Sequence, residues 1–97
     1  MEGKIITLDV GGTIFKISTL YLTKCEFFRN MLEDIPYTGE AIYIDRSPHI
    51  FKHVLSYLRD SSYPYPEKYI NELDYFLINA ADVNKYDPMK DTDRRLA

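Results

Sequence analysis

The sequence predicts a small α/β (α+β) domain, with a three-stranded sheet that opens on an N-terminal hairpin and is covered by about five helices. Three observations carry this. Residues alternate apolar and polar on both sides of Gly11-Gly12, apolar stripes at helical spacing follow, and a short apolar run over 42–44 separates two of those stripes. A sheet this small cannot cover itself, so the helices must pack on it.

From Lys4 to Val10, the residues Ile6, Leu8 and Val10 fall on one face and Ile5, Thr7 and Asp9 on the other, which is the pattern of a strand with one buried side. Gly11-Gly12 supplies two residues tolerant of positive φ, as a two-residue hairpin loop requires. Thr13 to Ser18 reads as the return strand, with Phe15 and Ile17 on one face. Ser18-Thr19 offers an N-cap for a short turn carrying Leu20 and Leu22. A helix over about 26–34 places Phe27, Phe28, Met31 and Leu32 at one-face spacing. Pro36 and Gly39 make 35–40 a loop, and Ile42 to Ile44 form a short strand.

Ser47-Pro48 marks a helix start, a capping hydroxyl followed by a proline where no N–H is needed. Phe51, Val54, Leu55 and Leu58 then form an apolar stripe. Asp60-Ser61-Ser62, with Pro64 and Pro66, breaks the chain. A further helix is predicted over about 66–80, burying Ile70, Leu73, Phe76 and Leu77. The domain is expected to span 4–81, with 82–97 a C-terminal helix or a frayed tail.

Bulk properties narrow the function. A chain of 97 residues fits one compact domain. Its net charge is −3 and Arg94-Arg95 is its one basic cluster, which argues against nucleic acid as the main partner. No apolar run is long enough to span a bilayer, so no membrane insertion is expected, and Met1-Glu2 does not open a signal peptide. The single Cys25 rules out an internal disulfide framework and suits a reducing compartment. Nine Tyr and five Phe without Trp provide large apolar bodies, most of them expected in the core.

No catalytic, metal or cofactor site emerges. Gly11-Gly12 lacks the Gly-Lys-Ser/Thr ending and the further glycines of a nucleotide loop. His49 and His53 share a helix face, but two ligands fall short of the three or four a zinc site needs. Cys25 has only Lys24 as a basic neighbour, and a lone cysteine is usually a small buried hydrophobe. The carboxylates form no acid–base pair, so the chain does not read as an enzyme.

Three segments carry a resemblance. Asp9-Val10-Gly11-Gly12-Thr13-x-Phe15 resembles the opening hairpin of BTB/POZ domains of the potassium-channel-tetramerisation (KCTD-like) type. Tyr43-Ile44-Asp45-Arg46-Ser47-Pro48-x-x-Phe51, followed by Val54-Leu55-x-Tyr57-Leu58-Arg59, is similar to the next part of that family. Glu72-Leu73-Asp74-Tyr75-Phe76-x-Ile78 looks like its late helix. The chain departs from the family at Ser47 and at Asp60-Ser61-Ser62. No His or Cys follows His53, so the late zinc cluster of some channel domains is absent from the sequence.

The resemblance implies a cytoplasmic module that assembles with itself into rings of four or five. It also implies an adaptor that recruits a cullin scaffold and a substrate protein, or alternatively the assembly domain of a voltage-gated potassium channel. It puts Thr7, Asp9, Thr13, Asp45 and Arg46 at the self-association interface. An equally weighted reading makes Asp45 a helix-start acid and Arg46 a surface arginine. In the loop over 35–40, Ile35 and Tyr37 are the candidate partner-binding residues, against the alternative of a loop hydrophobe folded back onto the domain.

Overall fold

The computed structural model describes residues 3–34 and 37–86. Strand β1 (Ile5–Val10) runs antiparallel to β2 (Thr13–Ser18) and parallel to β3 (Ile42–Ile44), giving the order β2-β1-β3. Register puts Val10 opposite Thr13 and Leu8 opposite Phe15, while Leu8 and Val10 align with Ile42 and Ile44. Period-two alternation then sends Ile6, Leu8, Val10, Ile17 and Ile44 inward, where all are buried.

Gly11 is demanded twice over. Its φ is +56°, and a Cβ there would sit 2.5 Å from the Arg46 carbonyl oxygen and 3.0 Å from Pro48 Cδ. Its N–H donates to the Ile44 carbonyl, so the hairpin tip is tied to the end of β3. Asp9 Oδ1 accepts from the Gly12 N–H at 2.9 Å and closes the turn.

One face of the sheet is covered by helices. The turn α1 (Thr19–Leu22) is capped by Ser18, which accepts from the Leu20 N–H, and it buries Leu22. Helix α2 (Glu26–Asp34) buries Phe28. Helix α3 (Pro48–Arg59) begins under the Ser47 cap with Pro48 in its first turn and buries Phe51, Val54, Leu55 and Leu58. Phe51 is the hub of the core, with ring centroids 5.3 Å from Phe15, 5.4 Å from Phe76 and 6.1 Å from Phe28. Edge-on and tilted contacts of this kind add to the burial itself.

The helix predicted over 66–80 is broken into pieces. A 3-10 turn over Glu67–Tyr69 leads to the single turn α4 (Glu72–Tyr75), and a second 3-10 turn spans Ala80–Asp82. The break is a Schellman cap. The Leu77 N–H donates to the Asp74 carbonyl, the Ile78 N–H reaches back to the Leu73 carbonyl, and Leu77 sits at φ +58°. That conformation turns Leu77 outward, half-exposed rather than buried, while Leu73, Phe76 and Ile78 enter the core. Ile70 is only half-buried.

Beyond residue 81 the expected helix or tail gives way to pairing. The two-residue strand β4 (Tyr65–Pro66) runs parallel to β5 (Lys85–Tyr86). Residues 87–97 lie outside the described residues.

Candidate functional site

Among the described residues, no helix covers the second face of the sheet. Alternation places Ile5, Thr7 and Asp9 of β1 on this side, with their cross-strand partners Ser18, Lys16 and Ile14 of β2 and Tyr43 of β3. Three of these are large and open to solvent: Ile5 at 62% exposure, Ile14 at 53% and Tyr43 at 60%. Ile14 and Tyr43 flank Asp9 across the strands and Ile5 stands at the far end of β1, which makes this face a candidate contact surface.

The acidic corner of this face lies at the β3 end. Tyr43 donates a long hydrogen bond, 3.4 Å, to Asp45 Oδ1. Asp45, together with Asp9, pushes the Tyr43 phenol above its usual range, because a phenolate would face two carboxylates. Asp45 itself is exposed just past the strand.

Arg46 points elsewhere. Its Nε donates to Glu72 Oε2 at 3.0 Å and its Nη2 to Oε1, a two-pronged pair joining the end of β3 to α4. The guanidinium lies 4.3 Å from the Tyr75 ring centroid. Glu72 is only 8% exposed, and its hydrogen bond is the first cause holding the Arg46 pKa up. This is the one ion pair among the described residues. The arginine expected at a contact between copies is therefore engaged inside its own chain.

The structure also divides the hairpin residues. Thr7 and Asp9 share the uncovered face. Thr13 is paired with Val10 and so belongs to the core side of the sheet, where it sits exposed past the edge of the core.

These features bear on one family. Its model, the BTB/POZ domain, matches residues 6–86. The chain belongs to the BTB/POZ family, of potassium-channel-tetramerisation type. Comparison with curated proteins gives no match. The BTB/POZ match extends over β4 and β5, past the expected boundary at 81.

Within this BTB/POZ domain, Tyr37 is half-buried and folds back. Its hydroxyl accepts from the Thr7 N–H at 3.1 Å, on the stretch of β1 that lies before its pairing with β3 begins at Leu8. Tyr37 also lines a groove of about 350 Å³ with Met31, Ile42 and Tyr43. Ile35 lies outside the described residues.

The histidines serve packing. His49 Nε2 pairs with the Tyr69 hydroxyl at 3.0 Å and His53 Nδ1 with the Tyr63 hydroxyl, docking the segment after α3 onto that helix. Burial, aided by Lys52, His49 and Lys68, holds the His53 pKa below 6.5. Among the described residues, no group of three or more His, Cys, Asp and Glu is placed to hold a metal ion. Cys25 is buried and donates from Sγ to the Phe76 carbonyl, and burial pushes its thiol pKa up. A thiol held protonated is a poor nucleophile.

Sequence reasoning missed Glu72, whose buried carboxylate only makes sense beside an arginine 26 positions earlier. It also passed over Ile14, Lys16 and Tyr43, although the same alternation that placed Thr7 and Asp9 puts them on the open face.

Proposed function

We propose that this BTB/POZ domain is a non-enzymatic module that assembles with copies of itself into a ring of four or five through the open sheet face, and serves as an adaptor for a partner protein. BTB/POZ membership makes protein–protein interaction and oligomerisation the general role. The observation that carries the finer reading is the set Ile5, Ile14 and Tyr43, each more than half exposed on one uncovered face. Burying the remaining surface of these three side chains contributes roughly 3–5 kcal/mol per copy. Association costs ~4–15 kcal/mol, so the apolar part needs help from polar contacts around it.

A cullin scaffold and a recruited substrate are the partners in this reading, met at the groove beside Tyr37 and Ile42. Its setting is the cytoplasm, in keeping with a buried, reduced Cys25. The potassium-channel type of the family favours a second reading, the cytoplasmic assembly domain of a channel subunit. No helix among the described residues is long and apolar enough to cross a membrane.

Sedimentation velocity from low to high micromolar protein tests self-association, and adding purified cullin tests the adaptor role. Species heavier than one chain, with a further shift on adding cullin, are expected. A single monomer at every concentration would overturn the ring. An oligomer indifferent to cullin would leave the channel reading in its place.

A further inference from the structure

We propose that the copies are joined by Lys16 of one chain against Asp9 and Asp45 of the next, an inference that rests on the self-association reading above. The strand register makes Lys16 the one Lys or Arg among the strand positions on the open face, set in β2 at one edge of the sheet. Asp9 lies on the same face in the central strand, and Asp45 follows Tyr43 at the opposite edge. The face is thus basic toward one side and acidic toward the other, with Ile5, Ile14 and Tyr43 exposed between and beside the charges.

Arg46 is already engaged by Glu72 within its own chain. Several other cations are also engaged within the chain. Lys24 lies over the Tyr21 ring and Lys68 over Tyr69, while Arg29 donates to the Thr23 carbonyl and Lys85 to the Ala80 carbonyl. Among the described residues Lys16 has no such contact, and neither Asp9 nor Asp45 has an ion-pair partner. Charges of opposite sign at opposite edges fit a second copy of this same chain. Setting the β2 edge of one copy to the β3 edge of the next is a head-to-tail contact, the kind from which closed rings form. The charge pairing sets register and partner choice, while the exposed isoleucines and Tyr43 contribute the apolar area.

Charge reversal tests this directly, using the full chain. Lys16→Glu and Asp45→Lys are each made alone and then together, with circular dichroism and thermal melting run first to establish that the fold is kept. Both positions are exposed, so all three variants are expected to fold. Each single reversal puts like charges face to face and is expected to weaken association about a hundredfold. The double variant restores opposite charges between positions 16 and 45 but leaves the new carboxylate at 16 facing Asp9, so it is expected to regain part of the association that the single variants lose. Single variants with unchanged mass would overturn the pairing, and so would a double variant no more associated than the singles. A wild-type chain that never associates would instead remove the self-association reading on which the pairing rests.

Discussion

Truncating Arg46 separates its two candidate roles, because the intramolecular pair predicts a large loss of stability and the intermolecular pair predicts none. Arg46→Ala leaves the Glu72 carboxylate, only 8% exposed, with both oxygens stripped of their donors. Orphaning a fully buried charge costs ~3–5 kcal/mol. The Arg46 side chain is 36% exposed, so water already reaches one end of the pair and the cost is discounted to about 2 kcal/mol. Loss of the guanidinium from the Tyr75 ring adds ~0.5–1 kcal/mol. For a domain of this size, a total of about 2–3 kcal/mol lowers the melting temperature by roughly 10–20 °C. The reciprocal Glu72→Ala should cost less, about 1 kcal/mol, because Arg46 then turns to solvent while staying over Tyr75. Differential scanning calorimetry of the two variants reads this asymmetry. An Arg46→Ala protein that melts like the wild type but loses its oligomeric mass would refute the reasoning and return Arg46 to the interface between copies.

Three further outcomes follow from the geometry. Gly11→Ala meets both a positive φ and a Cβ 2.5 Å from the Arg46 carbonyl oxygen, so it should cost ~2–5 kcal/mol in urea unfolding. Gly12→Ala, with a positive φ but open space around the new methyl, should cost only ~1–2 kcal/mol, and equal losses would contradict this account of the turn. Leu77→Gly relieves the left-handed residue of the Schellman cap at the expense of chain entropy, for a net gain of ~0.5–1 kcal/mol; a drop in melting temperature would show that the Leu77 side chain contributes more than its half-exposed position implies. His53 has a folded-state pKa below its unfolded value of 6.5, so its contribution is fully present above pH 6.5 and is lost as pH falls through the lower, folded value. Melting temperature should therefore decline in that acid window, less steeply in His53→Gln, and parallel profiles for the two proteins would contradict the assignment.

The parts of the fold legible in the sequence were those with local signals. Gly11-Gly12 between alternating strands, the Ser47-Pro48 start and the Phe51–Leu58 stripe each specify structure within a few residues, and the hairpin, β3 and α3 lie where those signals put them. The helix expected over 66–80 failed because apolar spacing continues through Leu77, while the backbone at that residue reverses into a cap that glycine usually marks. Strands β4 and β5, two residues each and twenty apart, carry too short a pattern to read. Parity alone would have put Thr13 with Phe15 and Ile17 rather than with Thr7 and Asp9. The intrachain pair of Arg46 was hidden for a different reason, since its partner Glu72 comes near only after the chain has passed through α3 and back.

The most direct test of the open sheet face is the light-scattering mass of the wild-type chain beside that of Ile14→Glu. Ile14 is 53% exposed on that face and makes no part of the core, so the substitution should leave the melting temperature nearly unchanged. The account predicts a multiple of 11.4 kDa for the wild type and a single chain of about that mass for the variant. Two equal masses, whether both assembled or both monomeric, would contradict it.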